Sequence, residues 1–282
     1  MKKWLIVLRA YSWPASLVPV VVGSAAAARF GRFSWADLAL TLPAALLVHS
    51  GANLANTYFD YSNGVDKAQT ADDRGLVDHL VSPALALRLA AGLLAAGAGI
   101  GLFLAAKNHI PALLWLGAAG IALAWFYTAR PGYKYRALGD IGIFLAFGPL
   151  IGTGTALIQT GSFVPEALWA SIPVGLLVTA ILHANNMRDL DPDSAANFRT
   201  LAGALGLQAS EKLYYALIFM PYLFAFTFGS PWPALCCALS APLALKLRAR
   251  AASGDFARLV PETAGLVAAY GLLLSAGLLL AA

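Results

Sequence analysis

Two short polar stretches break an otherwise apolar chain. They are Asn56-Thr-Tyr-Phe-Asp60-Tyr-Ser-Asn63-Gly-Val-Asp66 and Asn185-Asn186-Met-Arg188-Asp189-Leu-Asp191-Pro-Asp193. In each, an Asn and an Asp stand four residues apart, so on a helix both side chains share one face. Carboxylates are costly near a bilayer and seldom lie there without a function. In the first stretch Asn56, Asp60 and Asn63 form one helical stripe. Gly64 favours helix termination, which leaves Asp66 on the following loop, free to reach back. In the second, Asn185, Asp189 and Asp193 are spaced by four, but Pro192 should kink or end the helix. Asp191 is then placed to cap a new turn beginning at Pro192.

Oxygen ligands without a His or Cys arranged beside them favour a hard cation. Magnesium uses one or two carboxylates and completes its shell with water and substrate phosphate. Two clusters with separate carboxylates are suited to hold two ions across a diphosphate. The candidate metal-binding and catalytic residues are Asn56, Asp60, Asp66, Asp189 and Asp193. Lys67, Arg74, Lys134, Arg136, Arg188 and Arg199 lie nearby in the sequence pattern and can bind phosphate oxygens. For each of these bases, ordinary interfacial anchoring is the alternative role. Tyr127, Tyr133 and Tyr135 flank the basic loop 130–136; they suit phosphate or an aromatic substrate, or an interfacial belt. Asp140 can cap a helix start. His183, one turn before Asn186, is either part of an acceptor pocket or a satisfied core histidine. His49 and His109 read as structural.

The elements that must position these residues follow from composition. The chain has 282 residues, 60% of them hydrophobic and 12% charged, with mean hydropathy +0.71. Soluble domains carry about 25% charged residues, so this is an integral membrane protein. Spans of about 20 apolar residues are expected near 13–30, 36–59, 84–106, 109–128, 138–160, 164–186, 210–228, 231–247 and 260–281. The N-terminal apolar stretch holds Arg9 and Pro14 without a small-residue cleavage site and reads as a retained first helix. Assigning the N-terminus and alternate loops to one side places 16 of the 19 Lys and Arg there. Arg29, Arg32 and Lys107 fall on the other. That asymmetry puts the N-terminus and both Asp stretches in the cytoplasm, and the C-terminus outside. Carboxylates deep in the spans, which coupled transporters need, are missing. The net charge of +5 fits an anionic lipid surface, and no feature points to nucleic acid. The adjacent pair Cys236-Cys237 reads as two small buried residues, since neighbours cannot easily bridge each other. An echo of Asn-xxx-Asp followed by Arg74-Gly-Leu76 and Arg199-Thr-Leu201 suggests two half-bundles, 1–136 and 137–282, within one domain, 1–282.

Taken together these stretches resemble the UbiA superfamily of membrane prenyltransferases. Leu8-Arg-Ala-Tyr-Ser12-Trp-Pro-Ala-Ser16 is similar to the family's opening segment. Asn53-Leu-Ala-Asn56-Thr-Tyr-Phe-Asp60-Tyr-Ser-Asn-Gly64-Val-Asp66 resembles the first Asp-rich motif of its menaquinone branch. Asp72-Asp73-Arg74-Gly-Leu-Val-Asp78 resembles the following loop of the animal menaquinone-forming members. Tyr127-Thr-Ala-Arg-Pro131, Lys134-Tyr135-Arg136-Ala-Leu-Gly139-Asp140 and Phe147-Gly-Pro149 look like the middle signature. His183-Ala-Asn185-Asn186-Met-Arg188-Asp189, Asp193 and Arg199-Thr200-Leu201-Ala202 resemble the second Asp-rich motif. Many bacterial members have Asn-Asp where this chain has Asn56-Thr57, as animal-type members do. Arg199 stands where Lys is frequent, which keeps the charge.

The resemblance implies an all-α fold of nine transmembrane helices around a cavity open to lipid and capped by cytoplasmic loops. It implies Mg²⁺ held by Asp60 and Asp189, with Asp66 and Asp193 assisting, on the diphosphate of a polyprenyl donor. The acceptor would be dihydroxynaphthoate or a reduced naphthoquinone such as menadiol, oriented by Asn53, Asn56 and His183. Other aromatic acceptors, such as 4-hydroxybenzoate or homogentisate, are the alternative within the family.

Overall fold

A computed structural model describes residues 2–66, 74–195 and 198–282. All regular structure among them is helical, apart from one parallel bridge between Arg136 and Arg199. Ten helices matter for the site: α1 Pro14–Arg29, α2 Trp35–Ser62, α3 Pro83–Lys107, α4 Ala112–Phe126, α5 Gly139–Thr160, α6 Pro165–Arg188, α7 Leu207–Ala225, α8 Pro231–Ala238, α9 Ala241–Ala252 and α10 Phe256–Leu280.

Local chemistry sets their ends. Ser34 Oγ accepts from Asp37 N at 3.2 Å and starts α2, and Ser82 does the same for α3. α1, α3, α6 and α8 begin with Pro, whose missing N–H has no partner to lose there. α5 stops at Gly161, which takes φ +75°.

Each of the nine expected apolar segments carries helix. α2, α3, α5, α6 and α10 are long and apolar enough to cross a bilayer. α1 has 16 residues and α4 has 15, short of the ~20 that a full span takes. The expected span 231–247 differs from the structure: it breaks at Leu239-Ser240 into α8 and α9. Ser240 closes the break with its hydroxyl on Cys237 O at 2.7 Å, where it also meets the Tyr222 hydroxyl.

The larger core gathers the buried faces of α1, α6, α7 and α10, so α1 buries its apolar face among helices of the second half of the chain. A smaller core joins α2 and α3 to Val7 and Leu76. α5 and α6 cross in close contact at Gly148 and Gly175. A Cβ on Gly148 would stand 2.8 Å from the Gly175 Cα, the small-residue packing that lets membrane helices approach. α5 is not uniform. Ala146–Leu150 winds as a π-helical turn around Pro149.

With 28 residues, α2 is roughly 42 Å long at 1.5 Å per residue, longer than a hydrocarbon core of about 30 Å. Its last turns, which carry Asn56 and Asp60, therefore project from one end of the bundle. At the opposite end Lys107 Nζ pairs with Asp37 Oδ1 at 2.5 Å, while Arg32 and Arg29 donate to Thr160 O and Phe228 O at 3.3 and 2.8 Å.

Candidate active site

The final turns of α2 form one wall of the site. His49, Asn53, Asn56 and Asp60 follow i, i+4, i+7 and i+11, a single stripe. Past Asn63, Gly64 takes φ +73°. Val65 N and Asp66 N then both bond back to Asp60 O, at 2.9 and 3.3 Å. The Asp66 backbone is thereby returned to the end of the helix.

The loop between α4 and α5 supplies the cation. Gly132 at φ +61° folds it tightly, and Lys134 N bonds to Tyr127 O at 3.0 Å. The result aims two neighbouring side chains at Asp60. Lys134 Nζ donates to Oδ2 at 2.8 Å, and the Tyr135 hydroxyl donates to Oδ1. Asp60 is only 4% exposed, so these partners are what make its charge tolerable. Burial, reinforced by the Asp60 carboxylate, holds the Tyr135 hydroxyl far above the usual tyrosine range, so it stays a donor. Tyr127 lies edge-on to Tyr133 at 5.3 Å, and the Lys134 ammonium sits 6.0 Å from the Tyr127 ring centre. One turn before Asp60, Asn56 Oδ1 accepts from Thr128 Oγ1 at 3.0 Å.

The second wall is the end of α6. The helix stops at Arg188, and a short new helix, Leu190–Ala195, starts ahead of Pro192 rather than at it. Asp191 thus lies inside the new helix and does not cap it. Asp193 N bonds to Asp189 O at 2.9 Å, which keeps the two acids on one side of the turn. Burial raises Asp193 to about 6, with the Asp189 and Asp60 carboxylates adding to the rise; Lys134 and Thr200 oppose it. The two Asp stretches therefore lie within electrostatic reach of each other: Asp193 feels the Asp60 and Asp189 carboxylates and the Lys134 ammonium. Arg188 clasps its neighbour Asp189 with Nε and Nη2, each at 2.8 Å.

Other expected residues are placed differently. His183 does not face an acceptor pocket. It is 0% exposed, with Nδ1 at 2.8 Å from Asp140 Oδ1 and Nε2 at 3.2 Å from Ser210 O. Asn186 donates to the other Asp140 oxygen at 3.4 Å. Asp140 thus ties α5 to α6 rather than serving as a plain cap, and His183 carries the link on to the start of α7. Arg136 and Arg199 are exposed, and Ala137 N bonds Arg199 O at 2.6 Å, joining the two basic loops at the same mouth. Arg74 forms an exposed ion pair with Asp78. Lys67, Asp72 and Asp73 lie outside the described residues.

Two residues take roles in this site that the sequence did not assign to them. Tyr135 reaches Asp60, and its signal in the sequence was its place next to Lys134. Asn185 Oδ1 is buried without a hydrogen-bond partner; its signal was the matched spacing to Asp189. A buried orphan acceptor is costly and suits an incoming donor or cation.

Among the described residues, no three His, Cys, Asp or Glu side chains gather tightly enough to enclose a metal alone. The donor chemistry nevertheless fits a hard cation. It is oxygen only, and the Lys134 ammonium already answers the Asp60 charge. A metal held here would need water or phosphate oxygens to complete its shell.

Beneath the mouth opens a cavity of about 790 Å³ between α1, α2, α3, α4 and α5. Asn56, Tyr127 and Tyr133 line it below the acids, and Asn53, His49 and Ser16 also face it. The remaining wall is chiefly Ala, Leu, Gly and Ile. Such a volume accommodates an organic molecule with an extended apolar part.

Residues 16–257 match the model of the UbiA prenyltransferase family. The chain is 39% identical over 283 residues to the UbiA prenyltransferase domain-containing protein 1 homolog of Drosophila melanogaster, covering 97% of this chain and 78% of that protein. It is 36% identical to UbiA prenyltransferase domain-containing protein 1 of Homo sapiens, covering 99% and 83%. Among solved structures, the apo UbiA homolog from Aeropyrum pernix K1 superposes with a TM-score of 0.72 at 20% identity, over 96% of each chain. The UbiA homolog from Archaeoglobus fulgidus bound to DMAPP and Mg²⁺ gives 0.63 at 18% identity, over 97% and 99%. With a matching family model over most of its length and relatives this similar, the chain belongs to the UbiA prenyltransferase family.

Proposed function

We propose that the protein transfers a polyprenyl group from polyprenyl diphosphate to 1,4-dihydroxy-2-naphthoate, or to a reduced naphthoquinone, in menaquinone biosynthesis. The observation that carries this reading is the Asp60–Lys134 pair, within electrostatic reach of Asp193, at the mouth of a large apolar cavity. That layout gives a polar seat for a diphosphate and an apolar bed for its tail. The animal relatives and the first motif, Asn56-Thr57 through Asp66, support the naphthoquinone branch; the Archaeoglobus fulgidus homolog bound to DMAPP and Mg²⁺ supports the donor class.

Asp60, Asp66, Asp189 and Asp193, with Asn56 and Asn185, would hold Mg²⁺, two ions in our reading. Bound Mg²⁺ would neutralise charge on the leaving diphosphate. Lys134 donates to phosphate oxygens as it now does to Asp60, and Lys67, Arg74, Arg136, Arg188 and Arg199 give the mouth its positive field. Tyr135 and Lys134 fix the Asp60 rotamer. Asn53, Asn56 and Tyr127 border the seat of the aromatic acceptor. The apolar wall excludes water, so that the allylic carbon meets the ring before hydroxide. The chain acts as one domain, 1–282, in two half-bundles, with nine passes through the plasma membrane. The N-terminus and the acidic mouth are cytoplasmic and the C-terminus is outside. The cavity opens to lipid, through which the prenylated product leaves.

The test is an assay in lipid with Mg²⁺, labelled polyprenyl diphosphate, and 1,4-dihydroxy-2-naphthoate and menadiol side by side. Prenylated naphthol that disappears with EDTA and with Asp60→Ala is the expected result. Diphosphate binding without product from either acceptor, but with product from 4-hydroxybenzoate or homogentisate, would move the assignment to another aromatic.

A further inference from the structure

Deeper in the cavity than Asn56 lies a polar group that the metal and diphosphate chemistry does not use. His49 sits eleven residues before Asp60 on the same stripe of α2, roughly 16 Å along the helix. Its Nε2 is 2.8 Å from Ser12 Oγ and its Nδ1 is 2.7 Å from Ser16 Oγ. The hydrogen bonds admit a tautomer with the proton on Nε2. In it the one Ser12 hydroxyl proton is given to Arg9 O at 2.7 Å. Ser12 Oγ must then accept from both Asn53 Nδ2, at 3.2 Å, and His49 Nε2. With its proton on Nε2, the neutral ring has Nδ1 as the acceptor, and Ser16 donates to it. Ser16, His49 and Asn53 all face the cavity. From the opposite wall the π-helical turn of α5 brings Phe147 edge-on to the His49 ring, 5.5 Å between centres. Turns of this kind recur at functional sites. The ring is buried and the Arg9 guanidinium lies within electrostatic reach, so both oppose positive charge on it unless an anion such as the aryloxide forms beside it.

An acidic ring hydroxyl is what a hydroxylated aromatic acceptor offers. We propose that Ser16 and His49 form a hydroxyl–imidazole relay that binds and deprotonates that hydroxyl, which rests on the aromatic-acceptor reading above. The acceptor hydroxyl gives its proton to Ser16 Oγ as the Ser16 proton passes to His49 Nδ1. An aryloxide and an imidazolium result. The electron pair freed on oxygen makes the ring carbon nucleophilic. That carbon bonds the allylic carbon as the C–O bond to diphosphate breaks, and the diphosphate leaves with its electron pair. The ring carbon then loses its hydrogen as a proton to the diphosphate, or its carboxylate as CO₂, and the ring is aromatic again. Asn53 and Ser12 are positioning residues: Asn53 donates to Ser12 Oγ, which contacts Nε2 and leaves Nδ1 to Ser16.

The measurement is steady-state kinetics of His49→Asn in lipid with polyprenyl diphosphate and naphthols of graded hydroxyl acidity. The expected outcome is a loss of about 100-fold in kcat/KM for the acceptor, an unchanged KM for polyprenyl diphosphate, and a loss that shrinks as the naphthol becomes more acidic. A loss equal across the series, or one that moves the diphosphate KM in step, would overturn the relay. If His49→Asn does not fold, Ser16→Ala in the same series decides by the same criteria. Unaltered protein that binds the diphosphate and prenylates no naphthol would instead refute the acceptor reading, and the relay with it.

Discussion

At the end of α2, Asp60 is enclosed and held by two side chains from a loop over seventy residues away, Lys134 and Tyr135. At the end of α6, Asp189 is half-buried and held by its chain neighbour Arg188. The spacing is the same in both stretches, yet Asn56 is bonded to Thr128 while Asn185 Oδ1 has no partner. The two acids therefore start from different costs. Asp60 belongs to a network that only the folded chain assembles, and removing it leaves a buried ammonium and a phenol without their acceptor. Asp189 can exchange Arg188 for a cation, and Arg188 can turn to a phosphate, by rotating half-buried side chains. The first motif works as a fixed wall and the second as the adjustable one.

This contrast can be broken by substitution. Asp60→Ala should abolish prenyl transfer by about a thousandfold or more, the order expected when a principal charge-stabilising group is lost, and should also lower the melting temperature. Product formation in lipid and a thermal melt check both effects. Asp189→Ala should cost about a hundredfold in the same assay with little change in melting. An equal melting loss in the two variants would remove the distinction.

Asp193 sharpens the comparison because it feels both acids. Its proton is held up to about 6 against an ordinary 3.8. An acid raised in the folded state stabilises the fold while protonated, so its contribution is fully present below 3.8 and is lost as pH rises through about 6. The ionised form that suits a metal appears in the same interval. Mg²⁺ affinity, read by titration calorimetry at pH 5 and 7, should therefore rise with pH, and Asp193→Asn should flatten the rise. The smallest effect is expected at Arg74. Its ion pair with Asp78 is exposed, and such pairs contribute about 0–1 kcal/mol. Arg74→Ala should leave the melting temperature unchanged and raise the KM for polyprenyl diphosphate only a few-fold. A large loss of melting temperature would give Arg74 a structural role.

The residues themselves carried much of this. Apolar run length located the helices because a chain in lipid must satisfy its backbone internally, which leaves helix as the answer here. The break inside 231–247 had a signal in Pro242, which stands at the second position of α9 and favours a helix start after Ser240; a tertiary contact from Tyr222 closes the kink. Helical spacing alone put Asn56 and Asp60 on one face, and likewise Asn185 and Asp189. The partners of those acids were another matter. Lys134 and Tyr135 meet Asp60 across a loop whose path depends on Gly132 and on docking to Tyr127. Whether a histidine lines a cavity or ties helices together depends on rotation about a helix axis fixed by packing. Thus His183, inside a motif, became a buried tie to Asp140, and His49, which read as structural, came to face the cavity. Sequence set the element types and the spacing of the acids through short-range backbone physics. Only the tertiary structure decided which charges share a field, because that is settled by contacts between residues far apart in the chain.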